Sequence, residues 1–170
     1  MHVLIAYHTR YGSTRGIAER VTATLSGAGL ETTLGRIEEV HDLAGYDAFV
    51  IGSAVFAFHW PKAPVRFLER NQVALRGLPV WLFSVGPLGP KAPSPQKSRD
   101  YDHLSALASA REHQIFYGAV DISKLRGPDR LFARFLKSVE GDWRDWPEIE
   151  AWAAKIAGEL TRVPVGETAG

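Results

Sequence analysis

Short apolar runs alternate with longer segments of helical periodicity along this chain. Four apolar runs are continuous, at residues 3–7, 48–51, 80–83 and 115–117. Continuous runs of this length are typical of strands buried on both faces of a parallel sheet. A more polar run, Glu31 to Leu34, suits a strand at the edge of that sheet.

Between the strands, apolar residues recur at the spacing of one helix face. The pattern predicts helices over residues 13–27, 64–71, 96–112 and about 146–161. Asp145, with Glu148 three residues further on, is typical of the start of the last helix.

Alternation of strands and helices predicts an α/β fold: a doubly wound parallel sheet with helices on both faces. Five strands in 170 residues fit the smaller arrangement with strand order 2-1-3-4-5. We expect a single domain over residues 1–162, followed by a disordered tail at 163–170. Four prolines within residues 86–98 predict an extended surface loop.

Composition narrows the possible chemistry. The chain contains no cysteine, which excludes disulfides, thiolate catalysis and cysteine-ligated metals. Its six histidines show no metal-ligand spacing, and its formal charge of +1 gives no reason to expect nucleic acid as a partner. No apolar run approaches the length of a membrane span, so we expect a cytoplasmic protein.

The turn after the first strand has the composition of a phosphate site. Ligands of open α/β sheets bind beyond the carboxyl ends of strands, where the strand order reverses. Here Thr9, Arg10, Tyr11 and Gly12 lead directly into a helix that starts Ser13-Thr14. Hydroxyl groups and the unpaired N–H groups of a helix start favour an anion. The alternative is a helix start that Ser or Thr merely caps.

The turn after the third strand is aromatic where turns are usually polar. It reads Gly52-Ser53-Ala54-Val55-Phe56-Ala57-Phe58-His59-Trp60-Pro61, and its rings suit a flat apolar ligand. The alternative is a set of core aromatics beneath a helix.

The turn after the fourth strand is rich in glycine and proline. It reads Ser84-Val85-Gly86-Pro87-Leu88-Gly89-Pro90. Glycines allow backbone N–H and C=O groups to approach a heterocycle closely.

Together, the loops T-R-Y-G-S-T, G-S-A-V-F-A-F-H-W and F-S-V-G-P-L-G resemble the three FMN-binding loops of the flavodoxin superfamily. Within it, the I-G-S-A-V-F-A-F-H-W segment and the D-W-P-E-I-E-A-W-A-A-K-I-A ending resemble the flavodoxin-type, menaquinone-dependent protoporphyrinogen IX dehydrogenase family. The resemblance covers nearly the full length.

The resemblance implies a flavodoxin-like fold and FMN as the cofactor. By the same resemblance, the FMN phosphate would contact the first loop, Thr9, Arg10, Tyr11, Gly12, Ser13 and Thr14. The isoalloxazine ring would lie between the other two loops: Ala54, Val55, Phe56, Ala57 and Phe58 on one side, and Ser84, Val85, Gly86, Leu88 and Gly89 on the other. Ala57 stands where the family has a tyrosine beside the flavin, so ring stacking would pass to Phe56 or Phe58, or would be absent.

Residues 124–139 are strongly basic. Five Lys or Arg residues against Asp129 give the segment a charge of +4, and its apolar residues fall on one face of a predicted helix. Such a helix suits an anionic membrane surface or the carboxylates of a porphyrin. The alternative is a surface helix that packs its apolar face on the sheet.

Three functions agree with these observations. The first is an oxidoreductase that passes electrons from a porphyrinogen-like substrate through FMN to a quinone, with no catalytic side chain assigned. The second is an electron carrier that serves partner proteins and has no substrate of its own. The third is a scaffold that has lost FMN.

Overall fold

The computed structural model describes residues 1–56, 58–86, 98–121, 123 and 141–162. Five strands form one parallel sheet: β1 His2–His8, β2 Glu31–Arg36, β3 Ala48–Ala54, β4 Val80–Gly86 and β5 Glu112–Tyr117. Their order is β2-β1-β3-β4-β5, and every neighbouring pair is parallel. The predicted fold class and strand order are therefore confirmed.

Within the described residues, four α-helices cover the sheet: α1 Ser13–Gly27, α2 Lys62–Arg76, α3 Tyr101–Leu107 and α4 Trp146–Arg162, with a 3₁₀ turn at Ile37–Glu39. Alternate strand residues face opposite sides. Val3 and Phe83 join the core beneath α1 and α4, whereas Leu4 and Leu82 join the core beneath α2 and α3. Helices thus lie on both faces, as the alternation predicts.

Several predicted boundaries are wrong. The helix predicted over 96–112 covers only Tyr101–Leu107. Residues 112–114, predicted as helix or loop, pair with β4 and form the first half of β5. Helix α2 is longer than predicted, at Lys62–Arg76. Strands β3 and β4 each run three residues further than predicted, to Ala54 and Gly86, so both loops begin later.

A small antiparallel ribbon follows the sheet, and the sequence pattern did not predict it. Strand β6, Ala119–Val120, pairs with β7, Gly141–Asp142. The pairing of Val120 with Gly141 brings together the two flanks of the basic segment 124–139. That segment, the tail at 163–170 and most of the predicted loop at 86–98 lie outside the described residues.

The start of α4 carries the predicted cap. The Asp145 carboxylate accepts the backbone N–H of Glu148 at 3.0 Å, which satisfies one of the free donors of the first turn. The Glu148 carboxylate accepts the side-chain N–H of Gln114 at 3.1 Å and so ties α4 to β5. Among the described helices, none has the length and apolar character needed to cross a membrane.

Candidate functional site

The carboxyl ends of β1, β3 and β4 lie at the same rim of the sheet. They end at His8, Ala54 and Gly86. From β1 the chain passes first to β2 on one side and later to β3 on the other, so the strand order reverses between β1 and β3. A crevice at such a reversal is where open α/β sheets bind ligands.

The first loop ends at Gly12, which precedes α1 with a left-handed backbone (φ 92°). Its N–H donates to Thr9 Oγ1 at 3.0 Å, which closes the loop. In the described chain, no side chain caps the start of α1, and the first turn contains no carboxylate. The alternative of a Ser- or Thr-capped helix is therefore wrong. The free N–H groups and the positive end of the helix dipole face the rim.

Two hydroxyl groups at the start of α1 have different surroundings. Ser13 Oγ accepts the backbone N–H of Ala119 at 2.8 Å, so it joins the ribbon to the start of α1. Thr14 is fully buried, and its hydroxyl has no hydrogen-bond partner among the described residues. A buried hydroxyl without a partner costs about 1–3 kcal/mol, which a phosphate at this helix start would remove.

Arg10 connects the first and second loops. Its guanidinium carbon lies 5.4 Å from the ring centre of Tyr11 and 5.5 Å from that of Phe56. Both distances are within cation–π range. The structure thus places a positive charge at the rim between the predicted phosphate loop and the predicted ring loop.

The second loop is a tight turn. Phe56 and His59 exchange backbone hydrogen bonds of 2.8 and 3.0 Å, and Phe58 adopts a left-handed backbone (φ 68°). The side chains of Phe56 and Phe58 are 56% and 49% exposed, whereas Trp60 is 4% exposed. Trp60 is therefore a core aromatic and the two phenylalanines are surface aromatics. Ala57 lies outside the described residues.

The third loop starts from the end of β4, where Val85 C=O accepts the backbone N–H of Val55 at 2.9 Å. Ser84 is fully buried, and its hydroxyl lies 2.8 Å from both Trp60 Nε1 and His113 Nε2. Leu88 and Gly89 lie outside the described residues. The contact between Ser84 and His113 had no sequence signal, because it depends on the register of β4 and β5.

His59 stands beside the aromatic turn. Its Nδ1 lies 3.9 Å from Asp100 Oδ2, and the same carboxylate oxygen accepts the Trp60 backbone N–H at 3.0 Å. Within the described ranges, no group of three metal-ligating side chains is present.

The ribbon packs beside α1 through Arg144. The guanidinium donates to both carboxylate oxygens of Asp142, at 2.8 Å from Nε to Oδ1, and these hydrogen bonds hold the pKa of Asp142 below its usual range. Arg144 and Arg20 both lie against the Trp146 ring, with guanidinium carbons 4.5 and 5.0 Å from its ring centre. A Cβ on Gly16 would collide with Arg144, so glycine permits this close packing.

Comparison with known proteins identifies the class of protein as an α/β protein of the flavodoxin type. A sequence model described as a flavodoxin domain matches residues 4–146. The chain therefore belongs to the flavodoxin domain family. FMN is the cofactor that this family assignment indicates, and the buried hydroxyl of Thr14 at the start of α1 fits its phosphate.

The chain is 24% identical to the protoporphyrinogen IX dehydrogenase [quinone] of Escherichia coli K12, over 96% of this chain and 98% of that protein. An archaeal flavodoxin superposes with a TM-score of 0.66 at 15% identity, covering 95% of this chain and all of that one. Two-electron reduced flavodoxin of Megasphaera elsdenii superposes with a TM-score of 0.61 at 18% identity, covering 92% and 98%. These structural likenesses support the fold.

Proposed function

We propose that this protein is an FMN-dependent oxidoreductase of the protoporphyrinogen dehydrogenase type. It takes electrons from a reduced, porphyrinogen-like substrate and passes them through FMN to a quinone. In each turnover the substrate loses two electrons and two protons, and the quinone gains them and becomes a quinol. The similarity to the Escherichia coli enzyme over 96% of this chain supports this proposal.

We further propose that the first loop binds the FMN phosphate. Its contacts would come from Thr9, Arg10, Tyr11, Gly12, Ser13 and Thr14. Three features support this assignment: the uncapped N–H groups of α1, the absence of a carboxylate from its first turn, and the unpartnered hydroxyl of Thr14. Each favours an anion at the rim.

The isoalloxazine ring would lie between the second and third loops. Its contacts would come from Ala54, Val55, Phe56, Ala57, Phe58, Ser84, Val85, Gly86, Leu88 and Gly89. Because the Ser84 hydroxyl is engaged with Trp60 and His113, this residue would contribute through its backbone. FMN supplies the electron transfer, and the chain binds the ring, orients it and excludes water from it.

The observation that carries the enzyme proposal is the exposure of Phe56 and Phe58, together with the Arg10 guanidinium over the Phe56 ring. Two half-exposed phenylalanines at a cofactor rim give an apolar surface, and Arg10 adds a cation next to it. A porphyrinogen is an apolar macrocycle with carboxylates, so both features match its chemistry.

The second candidate is an electron carrier of the flavodoxin type. The flavodoxins among the structural neighbours favour it. Carriers that dock on basic partners are usually strongly acidic, whereas this chain has a formal charge of +1 and a pI near 8.1. Its field therefore has the wrong sign for such docking, and the enzyme is the stronger proposal.

Substrate-dependent reduction of the flavin separates these two candidates. The purified protein, loaded with FMN, is mixed with a porphyrinogen under anaerobic conditions, and flavin absorbance is followed. We expect bleaching of the flavin, and porphyrin fluorescence that rises continuously once a menaquinone analogue is added. A flavin that stays oxidised with the porphyrinogen would contradict the enzyme and favour the carrier.

We also propose that the protein resides in the cytoplasm and contacts the inner face of the membrane through residues 124–139. The charge of +4 favours contact with anionic lipids, which would bring the protein to the membrane that holds the quinone.

The pairing of Val120 with Gly141 allows the segment to be deleted without breaking the ribbon, because a two-residue Asn-Gly turn can replace residues 121–140.

This deletion should lower quinone-dependent turnover in the presence of anionic vesicles by about tenfold, since it removes the electrostatic attraction, while FMN stays bound. The matched control keeps the length and changes the five basic residues of the segment to Gln. Neither variant should co-sediment with the vesicles. Unchanged turnover and unchanged sedimentation in both variants would contradict membrane contact and indicate that this segment has a structural role.

A further inference from the structure

A continuous chain of hydrogen bonds lies buried behind the aromatic turn. Trp60 Nε1 donates to Ser84 Oγ at 2.8 Å, and Ser84 Oγ lies 2.8 Å from His113 Nε2. On the other side of the imidazole, His113 Nδ1 lies 3.0 Å from Ser105 Oγ, which donates to the Tyr101 C=O at 2.8 Å. The chain joins the second loop, β4, β5 and α3.

The direction of this chain determines where the imidazole proton sits. Ser105 has one hydroxyl hydrogen and gives it to Tyr101, so it accepts a hydrogen bond from His113 Nδ1–H. In the neutral imidazole the Nε2 atom is then an acceptor, and Ser84 donates to it. Ser84 uses its lone pair for the Trp60 indole N–H, so every member of the chain is satisfied.

This arrangement is structural and does not form a nucleophile–base pair. Ser84 is fully buried and His113 is 6% exposed, so no substrate reaches either group. The second imidazole nitrogen faces Ser105, whereas a general base is usually oriented by a carboxylate. Tyr101 stacks on the imidazole with ring centres 4.1 Å apart, and this contact fixes the orientation of the imidazole.

Trp60 links this buried chain to the exposed turn. Its backbone N–H donates to Asp100 Oδ2 at 3.0 Å, while the neighbouring Phe58 C=O accepts the Arg99 N–H at 2.8 Å. The turn that carries Phe56 and Phe58 is therefore held by the segment before α3 and by the indole of Trp60. Trp60, two residues after Phe58, is thus anchored both at its backbone N–H and at its indole N–H.

We propose that His113 is a positioning residue for flavin binding. As the neutral Nδ1–H imidazole it orients the Ser84 hydroxyl, which holds Trp60 and thereby the aromatic turn that faces the isoalloxazine ring. The inference rests on the proposed placement of that ring. It predicts that the acceptor at Nε2 controls ring affinity.

Two substitutions separate the two nitrogens of His113. His113→Gln places an amide oxygen near the Nε2 position and keeps an acceptor for Ser84, whereas His113→Asn reaches only the Nδ1 position and leaves Ser84 without one. His103→Asn is the control, because His103 lies exposed on the same helix as Ser105. Dissociation constants for FMN and for riboflavin are measured by quenching of flavin fluorescence.

His113→Asn should weaken the binding of FMN and of riboflavin by the same factor, about tenfold. The buried hydrogen bond that it removes supports the part of the site that contacts the flavin ring, which both ligands share. His113→Gln should recover most of this loss, and the control should match the wild type. Equal losses in the Asn and Gln variants, an unchanged affinity in His113→Asn, or a loss confined to FMN would overturn the proposal.

If His113→Asn fails to fold, Ser84→Ala gives the same test, because it removes the acceptor of the Trp60 indole N–H directly. Ser84→Ala should weaken the binding of FMN and of riboflavin by the same factor, and unchanged affinities would overturn the proposal. A wild-type protein that binds no FMN would instead refute the proposed function. Wild-type binding with no difference among the variants would refute only the role of His113.

Discussion

Replacing Thr14 by Val should stabilise the FMN-free protein and weaken FMN binding at the same time. Val keeps the shape of the fully buried Thr14 side chain and removes a hydroxyl that has no partner among the described residues. Removing such a group should raise the free energy of unfolding by about 1 kcal/mol. The same change removes a proposed donor to the phosphate, so FMN should bind about tenfold to a hundredfold more weakly.

Riboflavin, which lacks the phosphate, separates this effect from a general disturbance of the site. The affinity for riboflavin should stay unchanged in Thr14→Val. The affinities for both FMN and riboflavin should stay unchanged in Thr22→Val. Thr22 is the matched control on the same helix, since its hydroxyl donates to the Ala18 C=O at 2.8 Å and is remote from the rim. Equal losses of FMN and riboflavin in Thr14→Val would place the phosphate elsewhere.

Gly52→Ala should have the largest effect on stability. A Cβ at this position would overlap the Phe83 ring. Phe83 is fully buried and packs against Phe116 and Trp152, with ring centres 6.2 and 6.1 Å away, so it has no space to yield. Overpacking of this kind should lower the free energy of unfolding by about 3 kcal/mol, measured by urea unfolding.

A second substitution tests the cause of that loss. Phe83→Leu should cost less in the Gly52→Ala background than in the wild type, because the smaller side chain relieves the overlap. Gly77→Ala is the control: it lies at the end of α2 with φ −90° and open space around an added Cβ. Additive losses in the double variant would contradict the overlap.

The sheet was predictable from the sequence because its strands are buried on both faces. Val3 to Tyr7 and Val80 to Phe83 are continuous apolar runs, and such runs are recognisable without tertiary information. The start of β5 was not recognisable in this way. Glu112 to Gln114 are polar, and only pairing with β4 makes them a strand.

The candidate site was predictable as three loops, but its internal contacts were not. Gly12 and Thr14 follow a buried strand directly, so their place at the rim follows from chain order alone. Whether Ser84 faces the rim or the core depends on strand register, and its hydroxyl lies in the core with His113, 29 positions along the chain. The two-residue strands β6 and β7 are too short to carry a periodic signal.

A crystal structure of the FMN complex tests whether the rim formed by β1, β3 and β4 binds FMN with its phosphate at the start of α1. We expect a phosphate oxygen within hydrogen-bond distance of Thr14 Oγ1 and the flavin ring against the turn that carries Phe56 and Phe58. A phosphate bound elsewhere, with the Thr14 hydroxyl still unpartnered, would refute this placement of the cofactor.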